Sequence, residues 1–338
     1  MELNEHNKYN FWNIHTLNDF EIITLIKNVR WCICWICFLK DGRIASSGDN
    51  FTIIYNKNTF KKEIRIKERH EIYYMNITKN GILITCLDST YLNLYEIKGK
   101  KYNNIQTIRP YPLKIDFLKI FNNTFSITKF TELKNGDIAI LAWKYAICFY
   151  TKTKKNKNYL FLNKFSPKPG ESATDLIELD NNQYIISFRH DNMLQFLDMN
   201  SQKITKTIKT EIQLSYSKNN ILLMNKNDLF VAGSNAIIVI DIQKKEIVKV
   251  IGLELEDSLD YMIKLSYNII LIGCWNNYII QLEYDENKKI IKKISNSIKK
   301  EHDGFGYSLN SIAISSNNYL IVTPYQSHSL IIYKYKNK

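Results

Sequence analysis

One short pattern is written seven times along this chain. The first copy is LKDGRIASSGDNFTIIY at 39–55: a turn at Asp41-Gly42, an apolar strand, a second turn at Gly48-Asp49, and a second strand ending in Tyr55. It returns as TKNGILITCLDSTYLNLY (78–95), LKNGDIAILAWKYAICFY (133–150), LDNNQYIISFRHDNMLQFL (179–197), MNKNDLFVAGSNAIIVI (224–240), LSYNIILIGCWNNYIIQL (265–282) and SSNNYLIVTPYQSHSLIIY (315–333). Successive copies end 40 to 55 residues apart. A period of that length built from strands predicts radial repetition around an axis, the β-propeller.

Each copy has an apolar run before the quoted segment, such as Trp35-Ile36-Cys37-Phe38, and a more polar run after it, such as 61–66, 104–108, 159–165, 204–208, 246–251 and 290–294. Four strands per copy follow, the outermost being the most polar because one of its faces meets water. The seventh copy runs out at Tyr333 with only a short Lys-rich tail and lacks a fourth strand. Residues 20–26, FEIITLI, read like a spare outer strand. Pairing it with the last blade closes the ring and removes an open sheet edge. The expected fold is therefore all-β: seven four-stranded antiparallel blades closed by an N-terminal strand. Residues 1–19 read as a polar leader whose order the sequence leaves open, and 20–338 as a single domain.

The formal charge of +13 raises the question of an anionic partner. Only six of the 46 basic residues are Arg (Arg30, Arg43, Arg65, Arg69, Arg109, Arg189), and the Lys are scattered over most repeats. Lys, Asn, Ile and Tyr are plentiful together, as an AT-rich coding sequence produces without any partner. The six Cys sit in apolar strand contexts with no metal-like set around them, so reduced buried thiols and a reducing compartment are expected. The N-terminus lacks a secretory h-region, and no run of 18 apolar residues exists. No zinc-protease helix motif, phosphate-cradling Gly loop or Ser elbow is present.

In the last copy, His302 precedes 309–314 (LNSIAI) and an apolar strand reaching Val322-Thr323. The second copy carries His70, Thr85 and Asp88, and Tyr95 on its third strand. In this order of residues the chain resembles the WD-repeat β-propellers. In that family a His before the innermost strand, a Ser or Thr on the second, an Asp at the next turn and a Trp on the third form a buried hydrogen-bonded network. The resemblance implies network roles for His70, Thr85, Asp88, His302 and Thr323. The family's Trp-Asp dipeptide is replaced here by Tyr55-Asn56, Tyr95-Glu96, Leu197-Asp198 and Ile240-Asp241.

Aligning the turns between second and third strands gives Gly48, Leu87, Trp143, Arg189, Ser234, Trp275 and Tyr325. In a WD-like propeller these turns form one rim of the disc. Several copies place Trp, Tyr or Arg where a turn normally takes Gly, Asn or Asp, and these are the side chains enriched at binding hot spots. Trp143, Arg189, His190, Trp275 and Tyr325 are thus the candidate partner-binding residues. The expected function is a non-enzymatic protein–protein interaction scaffold: a subunit of an intracellular complex, cytoplasmic or nuclear, taking proteins or peptides as partners and needing no cofactor or metal. The rival reading is electrostatic binding of RNA or an anionic membrane surface through Lys-rich faces.

Overall fold

The turns come first, because they set the repeat. Between the first two strands of the first three copies the chain turns through Gly42, Gly81 and Gly136, at φ +84°, +82° and +86°. Their N–H groups donate to the carbonyls of Leu39, Thr78 and Leu133 at 2.9, 2.8 and 3.0 Å. Only a residue without a Cβ enters that left-handed region freely. The fourth copy has no Gly here and uses Asn181 and Asn182, both at φ +58°, since Asn tolerates the same region. At the turn after the third strand, Asn56, Asp198, Asp241 and Asp285 accept N–H bonds from residues two positions on at 2.9 to 3.0 Å. In three of the four dipeptides standing in for Trp-Asp, the second residue (Asn56, Asp198 or Asp241) therefore caps a turn.

The computed structural model of the chain describes residues 20–26, 35–87, 90–109, 127–142, 146–153, 158–165, 173–188, 191–215, 219–253, 259–274, 278–295, 309–315, 319–324 and 330–335. Strand β1 is Phe20–Ile26. Blade 1 holds β2 (Trp35–Phe38), β3 (Ile44–Gly48), β4 (Phe51–Tyr55) and β5 (Lys62–Lys67); blade 2 holds β6 (Ile72–Ile77), β7 (Ile82–Leu87), β8 (Tyr91–Lys98) and β9 (Lys101–Ile108). Blade 3 is β10 (Ile127–Glu132), β11 (Ile138–Ala142), β12 (Ala146–Lys152) and β13 (Tyr159–Phe165); blade 4 is β14 (Ala173–Glu178), β15 (Gln183–Phe188), β16 (Met193–Asp198) and β17 (Lys203–Lys209). Blade 5 is β18 (Ile221–Leu223), β19 (Asp228–Ala232), β20 (Ala236–Asp241) and β21 (Glu246–Gly252); blade 6 is β22 (Leu259–Lys264), β23 (Ile269–Cys274), β24 (Tyr278–Asp285) and β25 (Ile290–Ser295). Blade 7 is β26 (Leu309–Ile314), β27 (Tyr319–Pro324) and β28 (Leu330–Tyr335), with β1 as its fourth strand.

The ring closes as expected. Strand β1 pairs antiparallel with β28 from Phe20 opposite Tyr335 to Ile26 opposite Leu330. The core lies between blades. Leu133, Leu141 and Phe149 of blade 3 pack with Leu176, Ile186 and Phe188 of blade 4. Ile36, Ile53 and Tyr55 of blade 1 close the circuit on Ile321, Leu330 and Ile332 of blade 7. Each such aliphatic side chain contributes about 1.5–3 kcal/mol on burial. The outer strands alternate, as in β5, where Ile64 and Ile66 are buried and Arg65 and Lys67 exposed.

Five innermost strands bulge at one register, between Ile72 and Tyr74, Ile127 and Lys129, Ala173 and Asp175, Leu259 and Tyr261, and Leu309 and Ser311. A bulge re-aims the side chain that follows it. Two of these side chains tie blades together: the Lys129 ammonium donates to the Asp175 carboxylate of blade 4 and, at 2.7 Å, to the Asn219 side-chain oxygen just before β18. The bond reaching past blade 4 to Asn219 places Lys129 at the centre of the ring. Tyr261 is pushed up to about 12 by burial, with a hydrogen bond from Asn219 acting against it.

Further out, the ends of strands fasten to the preceding blade. Glu132 and Glu178, last residues of β10 and β14, accept the backbone N–H of Lys79 and Lys134 in the turns of blades 2 and 3. The equivalent residue of β22, Lys264, donates instead to the Met224 carbonyl. A carboxylate meets an N–H and an ammonium meets a C=O, so one position serves both signs.

Candidate interaction surface

The disc has two faces. One carries the turns between first and second and between third and fourth strands. The other carries the turns between second and third strands and the blade-to-blade loops. The candidate rim residues Trp143, Arg189, His190, Trp275 and Tyr325 lie outside the described residues, as do Asp88 and His302. The strands flanking the rim positions are described and end on the second face.

Of the expected network residues, Thr85 is fully buried and its hydroxyl donates to Glu68 Oε1 at 2.9 Å. Glu68 is the hub. Tyr95 donates its hydroxyl to Oε1 at 2.7 Å, and Asn93 donates its amide to Oε2 at 2.9 Å. Asn93 in turn accepts from Thr107 at 2.7 Å. Burial and the neighbouring Glu68 carboxylate push the Tyr95 hydroxyl well above its ordinary value. His70, two residues beyond the hub, is exposed and meets the Tyr91 ring edge-on at 5.8 Å. In blade 7, Thr323 is buried and donates to the Ser311 carbonyl at 3.3 Å.

Glu68 was not legible as a site residue. It stands in Lys67-Glu68-Arg69-His70, which reads as a solvated charge run. The one available signal is its place between the outer strand of one blade and the inner strand of the next.

A second buried carboxylate sits at the start of β19. Asp228 is 0% exposed and receives Lys289 Nζ at 2.6 and 2.8 Å, the Tyr284 hydroxyl at 2.9 Å and the Asn225 amide at 2.9 Å. Lys289 and Tyr284 belong to blade 6, so this cluster joins blades 5 and 6. Burial, with Asp228 adding to it, drives the Tyr284 hydroxyl well up.

The first face carries an open groove of about 620 Å³ crossing blades 3 to 6. Its basic side chains are Lys134, Lys226, Lys245 and Lys264. Lys134 is paired with Asp180 at 2.7 Å, and Lys245 bonds Thr205 at 3.0 Å. Burial lowers Lys264 from its ordinary value. Tyr267 stands at the edge of the groove, 73% exposed, at the turn position taken by Asp41, Asn80, Asn135, Asn181 and Lys226 in earlier copies. On its other side a hollow of about 550 Å³ is lined by Glu283, Asp285, Glu286 and Lys288. The tyrosine thus separates a basic hollow from a mainly acidic one.

The thiols of Cys37, Cys86, Cys148 and Cys274 are buried. Burial pushes Cys37 up to about 12 and Cys148 to about 11. No group of three His, Cys, Asp or Glu that could hold a metal ion occurs among the described residues. No helix among them is long and apolar enough to cross a membrane.

These features define a seven-bladed β-propeller whose candidate sites are surfaces and buried ties. Compared with known proteins, the chain matches no family model and no curated protein. Its likeness is to solved structures. Raptor from Chaetomium thermophilum superposes with a TM-score of 0.73 at 12% identity, over 94% of this chain and 29% of that one. A chain of the Mitotic Checkpoint Complex superposes with a TM-score of 0.70 at 11% identity, over 94% of this chain and 92% of that one. The chain spans under a third of the Raptor chain it matches. At these identities the likeness is one of fold.

Proposed function

We propose that this propeller is a non-enzymatic protein-interaction scaffold that docks a partner on the rims of its disc. The observation that carries the reading is the groove at Tyr267. There a large aromatic is held in solvent at a turn position, between hollows of opposite charge, on a frame built from four blades. Exposed aromatics on a rigid frame are what partner anchoring uses. A structural likeness to a chain of a multiprotein complex is consistent with the reading and says nothing of its partner. The rim residues Trp143, Arg189, His190, Trp275 and Tyr325 belong to the same proposal as a second docking face.

The test uses the tagged full chain in two variants, Tyr267→Ala/Lys226→Glu on one face and Trp143→Ala/Trp275→Ala on the other. Affinity capture at two salt concentrations, with partners identified by mass, should show a stoichiometric partner lost from one variant and kept by the other. If both retain every partner of the parent chain, the scaffold reading fails in this form. Described exposed Lys lie on the outer strands of blades 1, 2 and 4, including Lys62, Lys101, Lys203 and Lys206. That spread round the circumference favours a local docking site over a single anionic surface.

A further inference from the structure

In a chain where most cations are Lys, the few Arg carry information. Arg30 and Arg189 lie outside the described residues. Arg43 is spent on Asp41 at 2.7 Å and Glu63 at 3.5 Å. Arg65 lies over the Phe51 ring at 3.7 Å. The remaining two, Arg69 and Arg109, are both exposed, and neither guanidinium has an ion pair or ring contact within the described structure. Both line one pocket of about 680 Å³ on the second face at blade 2, together with Lys67, Asn104 and Tyr91.

The frame of this pocket is held from both sides. The Glu68 N–H donates to the Asn50 carbonyl at 2.8 Å and the Ile72 N–H to the Asp49 carbonyl at 2.6 Å, which anchors the segment carrying Arg69 to blade 1. The Arg109 carbonyl accepts the Tyr150 hydroxyl at 3.3 Å, which anchors the other arm to blade 3. A site whose backbone is already fixed loses little ordering entropy on binding.

The charge of the pocket selects its ligand. Three cations surround one carboxylate, Glu68, which is already satisfied by Thr85, Asn93 and Tyr95. Two positive charges are left in excess. A phosphate monoester carries about −1.5 to −2 at neutral pH and presents three acceptor oxygens. Two guanidinium forks and an ammonium match that charge and geometry better than they match a single carboxylate. None of the described lining residues is aliphatic, so the described pocket offers a lipid headgroup no apolar wedge of the kind that holds a bilayer.

We propose that this pocket binds the phosphate monoester of a phosphorylated serine or threonine on a partner segment. The proposal takes from the scaffold reading only the source of the phosphate, a partner protein. Its test needs no such partner.

Purified full-length chain is applied to an array of phosphoserine peptides and their serine counterparts at physiological salt, with inorganic phosphate as competitor. The phosphorylated set should bind at least about tenfold tighter, as charge-assisted forked bonds allow, and inorganic phosphate should displace it. Arg69→Ala/Arg109→Ala should abolish the preference. Arg69→Lys/Arg109→Lys, which keeps the charge and removes the forks, should weaken it. Lys203→Ala/Lys206→Ala removes the same charge from blade 4 and should change nothing. Equal binding of both peptide sets overturns the proposal, as does an equal loss in the Lys203/Lys206 variant. So does binding to phosphoinositide vesicles without binding to any phosphopeptide. Because no partner protein enters the assay, its failure leaves the groove at Tyr267 to be judged by capture alone.

Discussion

Glu68 in blade 2 and Asp175 at the ring centre are both carboxylates withdrawn from solvent, and the chain satisfies them in opposite ways. Asp175 takes an ammonium from the preceding blade, Lys129, and backbone N–H groups of Leu176 at 2.7 Å and Ile221 at 3.4 Å. Asp228 follows the same plan with Lys289. Glu68 takes only neutral donors, Thr85, Asn93 and Tyr95, all from its own blade. Where the counter-charge crosses between blades, the cation is consumed and the result is a tie that holds the ring. Where the donors are neutral and local, the surrounding cations Lys67, Arg69 and Arg109 stay uncommitted. A scaffold needs both arrangements, one for closure and one for a surface.

The largest test of that contrast is at the centre. Lys129→Met leaves Asp175 buried without its counter-charge and should cost about 3–5 kcal/mol in urea denaturation. Replacing both, as Lys129→Met/Asp175→Leu, should recover most of the loss, because a well-packed apolar pair carries no desolvation penalty. The pH dependence follows from the sign of the shift. Burial raises the Asp175 carboxyl above its ordinary value, against the pull of Lys129. The folded state therefore holds the proton at pH values where the unfolded chain has lost it. The stability this contributes is full below the unfolded value and declines as pH rises through the folded one. Removing Lys129 raises the folded value further, so the cost of Lys129→Met should be greatest near neutral pH and shrink towards pH 4. A cost that stays constant across that range would show that Asp175 does not titrate in this way.

The tie between blades 5 and 6 should be weaker. Lys289 is partly exposed, and Asp228 keeps the Tyr284 hydroxyl and the Asn225 amide when the ammonium is gone. Lys289→Met should cost about 2–3 kcal/mol, the range for losing a hydrogen bond to a buried charge that keeps other partners. A loss as large as that of Lys129→Met would mean that position in the ring matters less than the cation itself.

The repeat was legible because its determinants are local: Gly42, Gly81 and Gly136 mark turns by their own backbone needs, and strand alternation is read residue by residue. The closing strand at Phe20–Ile26 was legible by counting, since one copy lacked a partner that the N-terminus could supply. The buried polar ties were not. Lys129 lies in ITKFTE, an ordinary alternating strand, and turns to the centre only because a bulge after Ile127 re-aims it. Asp175 and Asn219 meet it from 46 and 90 residues away, a convergence that no local pattern carries. Glu68 was hidden by its charged neighbours. The aromatic and Arg positions of the rim lie outside the described residues.

The smallest effect falls on the neutral-donor network. Glu68→Gln can keep its carbonyl oxygen where Thr85 and Tyr95 donate but then sets its amide donor against the Asn93 amide, and should cost about 1–2 kcal/mol. The same change removes the only negative charge among the described residues that line the proposed phosphate pocket. If the three cations there are held for an anion, Glu68→Gln should tighten phosphopeptide binding about threefold, roughly 0.65 kcal/mol, while destabilising the fold. Stability and affinity then move in opposite directions in one variant. If Lys67, Arg69 and Arg109 serve only to balance Glu68, removing its charge should leave binding as weak as it was. Melting and binding measured on the same Glu68→Gln preparation separate the two cases.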